Sequence, residues 1–255
     1  MNSGATQLSA LVVVHNEEAQ LAVCLEGLAF ADEIVVVLDK CTDVSKDIAA
    51  GFSDHLIEGT WDRDGELRNA GIAACRGAWI FEIDADERVP VALAEEIRGV
   101  IGRANGDIFN IPVDNFVAGK LFRFGWGGLF GKNGYPGLFR KGVKVWGRQW
   151  AHPHLDVSGR QGADLKTPIA HYVDHDISDM LNRLDRYTTL RARDLLETGE
   201  VGSFPNMVRK ILSRFWKCYV GRRGYREGGY GFVIALCVAL YPVLSHPKAT
   251  LEPAP

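Results

Sequence analysis

Cysteine is scarce and unpaired: five residues, Cys24, Cys41, Cys75, Cys218 and Cys237, are scattered with no Cys-x-x-Cys among them. That excludes a disulfide framework and a cysteine-built zinc site, and it points to a reducing compartment. No Gly-x-Gly-x-x-Gly follows the first apolar run and no Walker motif occurs, so the dinucleotide and P-loop fingerprints are missing. Met1 to Ala5 has no basic stretch ahead of an apolar one, so no secretion signal is expected. The apolar run Gly231 to Leu244 holds 14 residues, short of the roughly 20 a spanning helix needs.

An even spread of charge is also lacking. The net charge of −3 divides into 21 acidic against 8 basic residues over 1–115, and 11 against 21 over the rest. Such polarity implies different partners for the two halves, and an acidic first half does not favour nucleic acid.

What is present in the first half is an alternation. Leu8 to Val14, Glu33 to Leu38, His55 to Ile57 and Ala78 to Ile83 are short apolar runs of the length and composition of buried strands. Helical spacing follows each: Leu21, Cys24, Leu25 and Leu28 with acids in the first turn; a helix through Ala50 capped by Thr42 or Asp43; Gly65 to Cys75; and a helix from Pro90 through Ile101. This predicts a mostly parallel sheet covered by helices, with ligands bound beyond the carboxyl ends of the strands. His15, Asn16 and Glu17, then Asp39, then Asp84 and Asp86 all fall just past such ends and are expected on one rim. Strand alternation puts Asp84 and Asp86 on the same side, where two carboxylates suit a hard divalent cation shared with phosphates.

These residues carry a resemblance. Val13-Val14-His15-Asn16-Glu17-Glu18, Asp39-x-x-Thr42-Asp43, Arg68-Asn69-x-Gly71 and Ile83-Asp84-Ala85-Asp86-Glu87 follow the order and spacing of glycosyltransferase family 2 over about the first 115 residues. The resemblance implies the GT-A fold and a nucleotide-sugar donor, with UDP favoured. It implies that Asn16, Glu17 and Asp39, with His15 beside them, line the nucleoside pocket. By the same route Arg68 lies near the base or diphosphate, Asp84 near ribose and metal, and Asp86 on Mg²⁺ or Mn²⁺.

In the second half, Asp107 to Val113 reads as a strand whose Pro112 marks an edge or an end. Glycine and aromatics interleave from Phe116 to Trp150, including Phe122, Phe124, Trp126, Phe130, Tyr135, Phe139, Trp146 and Trp150. They are expected to complete the sheet and wall an acceptor cleft, most of the rings being core. His152-Pro153-His154-Leu155-Asp156, with Arg140, His171-Tyr172 and Asn182-Arg183-x-x-Arg186-Tyr187, resembles bacterial lipopolysaccharide-core members of the family. Those relatives have His-Glu where this chain has His152-Pro153, so the catalytic base falls to Asp156 first, then His154, with His152 beside them. A cleft-shaping role for all three stays open. The Gln-x-x-Arg-Trp motif of processive synthases is absent, which favours single-sugar addition.

From Asp176, a plausible cap, Ile177, Met180, Leu181, Leu184, Tyr187 and Leu195 form a helical stripe. Arg209, Lys210, Arg214, Lys217, Arg222, Arg223 and Arg226 then interleave with Ile211, Leu212, Phe215, Trp216 and Tyr219. This reads as an amphipathic segment, 205–245, lying on an anionic membrane face, or as a basic helix docked on the protein.

The expectation is therefore an α/β, GT-A-type, mostly parallel nucleotide-binding sheet flanked by helices, with a C-terminal helical membrane-associating extension. Its parts are 1–115 for the donor, 116–175 for the acceptor and 176–255 for the extension. The implied activity is inverting, metal-dependent transfer of one sugar from a nucleotide-sugar donor, a UDP-hexose, to a lipid-linked or lipopolysaccharide-core saccharide on the inner face of the cell membrane. A nucleotidyltransferase and a catalytically inactive nucleotide-sugar-binding scaffold are the alternatives.

Overall fold

The computed structural model describes residues 7–103, 105–126 and 131–252. Met1 to Ala5, and Gly127, Gly128 and Phe130 of the aromatic stretch, lie outside the described residues. Four strands, β1 (Leu8–Val14), β2 (Glu33–Asp39), β3 (His55–Gly59) and β4 (Trp79–Asp84), run parallel in the spatial order β3-β2-β1-β4. Their side chains alternate between two cores. Ala10, Val12, Val14, Val36, Leu38, Phe81 and Ile83 pack with Leu21, Leu25, Leu93 and Ile97. Leu11, Val35, Val37 and Ile80 pack with Leu67, Ile72 and Cys75. Burial on both faces is why these strands are continuous apolar runs.

The helices are α1 (Leu21–Glu26), α2 (Ser45–Ala50), α3 (Asp64–Ala74) and α4 (Val91–Arg103). Two local expectations are corrected. α1 begins only at Leu21 and has no acid in its first turn, so Glu17 and Glu18 belong to the loop before it. α2 is preceded by Val44 with no side-chain cap; Asp43 instead accepts the Ser45 and Glu18 N–H groups at 3.0 Å each.

The sheet continues past β4 through β8 (Gly134–Arg140), β6 (Ile108–Val117), β11 (Ile169–Asp174) and β5 (Glu87–Arg88). β7 (Lys120–Phe122) is attached to β6. β8 is antiparallel to β4 and β6, and β5 to β11. β6 is longer than expected and interior, so Pro112 is neither at an edge nor at a strand end. It follows an irregularity in the register between Phe109 and Ile111, the kind of break where a residue without an N–H is tolerated. A separate hairpin pairs β9 (Lys144–Trp146) with β10 (Leu155–Val157).

The chain forms two compact units. The first holds the residues up to Val113, with 134–149 and 153–171. The second holds Asp114–Asn133, Trp150–His152 and everything from Tyr172. In the second unit α5 (Ile177–Thr198) is capped as expected, the Asp176 carboxylate accepting the Asp179 N–H at 2.9 Å. Of its stripe, Met180, Leu184 and Leu195 are buried, but Ile177 and Leu181 are exposed. α6 (Phe204–Trp216) leads through a π-helical turn, Lys217–Gly221, toward α7 (Gly228–Thr250). α7 outruns the 14-residue apolar stretch, since Pro242 and Pro247 are accommodated inside it. Gly224–Thr250, 27 residues, is long and apolar enough by length and composition to cross a membrane.

α3 lies close against the sheet because Gly71 has no side chain. A Cβ there would stand 2.5 Å from Leu11 Cδ1 and 2.8 Å from Val37 Cγ2. Gly71→Ala is expected to cost about 1–3 kcal/mol through overpacking. Urea unfolding would measure it as a lower midpoint at unchanged slope.

Candidate active site

The carboxyl edge of the parallel strands is built by two loops laced together. Directly after β1 and β2 the backbone turns through left-handed conformations, at Asn16 (φ 55°) and Lys40 (φ 50°). Asn16 Oδ1 accepts the Thr42 N–H at 2.8 Å, Ser45 Oγ accepts the Glu17 N–H at 2.9 Å, and the Val44 N–H reaches Glu18 Oε2 at 3.3 Å. His15 Nδ1 lies 2.7 Å from the Asp39 carbonyl oxygen. Asp39 Oδ1 accepts the Trp61 N–H at 2.9 Å, and the indole of Trp61 covers Gly59, where a Cβ would fall 2.4 Å from the ring. The structure thus brings His15, Asn16, Glu17 and Asp39 together.

β4 delivers the next carboxylates, but in a turn. The extended chain stops at Asp84, and Ala85 and Asp86 turn before β5, so strand alternation does not set the direction of Asp86. The fully buried Glu87 clamps this turn, its Oε2 accepting the Asp84 N–H and the Tyr135 hydroxyl at 3.0 Å each. Arg88 donates to the Ala85 and Glu87 carbonyls at 2.9 and 2.8 Å. Pairing of Glu87 with His171 across β5 and β11 then sets the His171 ring beside Asp86, Nε2 to Oδ2 being 3.2 Å.

Asp84 faces the other way in chemical terms, toward α3. The Arg68 guanidinium donates to Asp64, Glu82 and Asp84, each at 2.8 Å. Burial opposes its charge, but those three carboxylates hold its pKa well above the ordinary value. Arg68 therefore anchors Asp84 in this structure. Asn69 fixes β9, its amide donating to the Trp146 carbonyl and accepting the Trp146 N–H at 2.8 and 2.9 Å.

Behind this lies a buried network that composition gave no hint of. Glu82, in the middle of β4, and Lys144, on β9, are both 1% exposed. Lys144 Nζ lies 2.9 Å from Glu82 Oε2, donates to the Pro136 carbonyl at 2.9 Å, and sits over the Phe139 and Trp146 rings at 4.7 and 4.6 Å. The Trp146 indole N–H reaches both Glu82 oxygens at 3.1 and 3.2 Å. Burial alone would raise the Glu82 pKa; Lys144 and Arg68 hold it below the ordinary carboxylate value.

The base candidates divide. His154 Nε2 and Asp156 Oδ1 are 3.3 Å apart, an exposed pair on and before β10. His152 belongs to the second unit, in a left-handed conformation (φ 53°), its ring stacked on Tyr187 at 5.1 Å and edge-on to Tyr241 at 6.2 Å. Fewer rings of the aromatic stretch are buried than expected: Phe139 in the first unit, and Phe122 and Trp126 in the second, while Tyr135 and Trp146 are half-buried against the cores of the first.

Among the described residues no cluster of three His, Cys, Asp or Glu side chains could enclose a metal. Asp86 Oδ1, however, is buried with no hydrogen-bond partner, beside the His171 imidazole. One carboxylate oxygen and one imidazole suit a cation whose other ligands come from phosphate and water, as Mg²⁺ and Mn²⁺ sites commonly do.

A parallel α/β half with its ligand rim at the strand ends, continued by antiparallel strands, defines a GT-A-type enzyme. Residues 9–127 match the Glycosyl transferase family 2 profile, and the chain is a glycosyltransferase with a domain of that family. It is 27% identical over 250 residues to the lipopolysaccharide core biosynthesis glycosyltransferase LpsC of Rhizobium meliloti, covering 94% of this chain and 91% of that protein. An uncharacterized glycosyltransferase of Rickettsia typhi is 24% identical over 252 residues, covering 91% and 83%. In fold it is similar to S. aureus TarS residues 1–349, with a TM-score of 0.51 at 15% identity over 95% of this chain and 88% of that one. The TarS structure in complex with UDP-GlcNAc gives 0.52 at 14%, over 95% and 88%.

Lys144→Met would strand Glu82 in the interior with one cation fewer. It is expected to destabilise the fold by about 3–5 kcal/mol, with the double change Glu82→Gln/Lys144→Met recovering part of the loss in urea unfolding. Because the Glu82 pKa is depressed on folding, its contribution is full above the ordinary carboxylate value of 4.5 and is lost as pH falls through the folded one. The acid limb of stability should be shallower in the double variant than in the parent chain.

Proposed function

We propose that this glycosyltransferase moves one sugar, with inversion, from a UDP-hexose to a lipid-linked or lipopolysaccharide-core saccharide at the inner face of the cell membrane. The observation that carries the reading is the rim: the two laced loops after β1 and β2 stand at the same strand ends as the clamped Asp84–Glu87 turn. Asn16, Glu17 and Asp39 line the nucleoside pocket, with Asp39 Oδ1 committed to Trp61 and Oδ2 assigned to the uracil N–H. Similarity to LpsC supports the acceptor class, and the UDP-GlcNAc complex of TarS supports the donor class.

Asp86 and His171 would hold Mg²⁺ or Mn²⁺, with Asp84, fixed by Arg68, toward the ribose. When bound, the cation supplies positive charge that neutralises the leaving diphosphate. Asp156, oriented by His154, takes the proton from the acceptor hydroxyl while its oxygen bonds to the anomeric carbon and the bond to the diphosphate oxygen breaks. His152 packs on Tyr187 in the second unit and takes no part in this step.

Thermal shift with UDP separates these roles, since a bound ligand raises the apparent melting temperature by mass action. The parent chain is expected to gain stability from UDP with Mn²⁺, and Asp86→Ala to lose the Mn²⁺-dependent part. Full sugar turnover by Asp86→Ala would remove Asp86 from the metal role. Asp156→Asn is expected to lower kcat about 10²–10⁴-fold with the UDP shift intact; an unchanged kcat would move the base elsewhere.

A further inference from the structure

α6 carries a wider apolar arc than its own unit covers. At about 100° per residue, the half-buried Met207, Ile211 and Phe215 share one side. Phe215 there stacks on Tyr219 at 5.3 Å and meets Phe232 edge-on at 5.6 Å. Next round the helix, Val208, Leu212 and Trp216 recur every fourth residue and stand 42%, 78% and 66% exposed. Arg209, exposed, borders this ridge on the side away from Phe215, and the exposed Lys210 and Lys217 lie further round the helix. Phe232 and Leu236 of α7, 47% and 40% exposed, extend the apolar surface beside Phe215.

We infer that this ridge is a docking surface for an anionic lipid bilayer. Leu212 and Trp216 enter the boundary between headgroups and acyl chains, while Arg209 beside them meets lipid phosphates and Lys210 and Lys217, further round the helix, add to the attraction for an anionic surface. The charge pattern selects this occupant: from Val201 to Arg226 there are seven basic residues and no acidic one. A second copy of the same face would bring those like charges together, and protein interface cores are depleted in lysine. A bilayer surface offers both an apolar boundary that tryptophan favours and a sheet of negative charge. α7 belongs to the protein bundle: its Lys248 pairs with Asp185 of α5 at 2.6 Å, and Ser245 and His246 are buried. This deepens the membrane part of the proposed function and uses no donor-site residue, so the two can fail separately.

Sedimentation of the full chain with vesicles of phosphatidylcholine, with and without phosphatidylglycerol, tests it. Binding is expected only with the anionic lipid and is expected to weaken at high salt. Leu212→Glu/Trp216→Glu should lower the bound fraction at least about tenfold, and Arg209→Glu/Lys210→Glu similarly. Leu212→Phe/Trp216→Phe should bind like the parent. The UDP-induced thermal shift should stay unchanged in all three, which separates loss of the surface from loss of the fold. The inference is overturned by equal binding to neutral vesicles, or by acidic variants that bind as the parent does. It is also overturned by attachment that resists high salt and alkali and yields only to detergent, which marks a spanning helix, or by a dimer that the same substitutions dissociate without any vesicle binding. A parent chain that binds anionic vesicles but shows no UDP shift would sink the donor reading and leave this surface standing.

Discussion

A carboxylate in the middle of a sheet, Glu82, is the group on which the geometry of the donor rim depends. Charge in an interior is tolerated only when its partners are in place, and removing one of them is far costlier than never having had the pair. Here the partners come from two separate stretches: Arg68 from α3, and Lys144 and Trp146 from β9. Satisfying Glu82 therefore forces α3, β4 and β9 into one arrangement. The same Arg68 then reaches Asp84, two residues further along β4. A structural demand in the core becomes a positional demand at the rim.

The rim has a second fixed point. Glu87 is as buried as Glu82, and its Oε2 takes both the Asp84 N–H and the Tyr135 hydroxyl. Its backbone pairs with His171. The turn that carries Asp86 is thus held from inside by a carboxylate and from the flank by a strand. Asp86 is left with an oxygen that the protein does not satisfy. A buried acceptor without a donor is costly unless something else supplies the positive charge, which is what a cation shared with a diphosphate does. Rigid support around one unsatisfied atom fits the proposed cation site, whereas an acidic surface turn would have every oxygen in water.

The parallel half was readable because its strands are buried on both faces, which makes them continuous apolar runs separated by helical spacing. Positions just past those runs gave His15, Asn16, Asp39 and Asp84 directly. The turn at Ala85–Asp86 was not readable, since Ile83-Asp84-Ala85-Asp86-Glu87 alternates as a strand does, and part of what holds the turn is Glu87's contact with distant Tyr135 and its pairing with His171. Glu82 itself was the overlooked clue: an acid inside an apolar strand announces a buried partner without saying where that partner lies. Lys144 and His171 sit 62 and 89 residues further along the chain, and no local pattern ties them to β4. His152 was misgrouped for the converse reason, because nearness in sequence to His154 and Asp156 does not stop its ring from packing on Tyr187.

The opposed charges of the two halves have separate physical causes. In the first half part of the acidic excess is placed inside, at Glu82, Glu87 and Glu33, where each carboxylate is a fixed hydrogen-bond acceptor. Ser9, His55 and Arg76 hold Glu33, overcoming its burial, at a pKa of about 2. In the second half, part of the basic excess is left outside at Arg209 and Lys210 of α6, a helix whose apolar ridge is also left outside. Buried charge specifies a fold and positions a site; exposed charge beside exposed apolar surface does neither, and costs solubility unless a partner covers it.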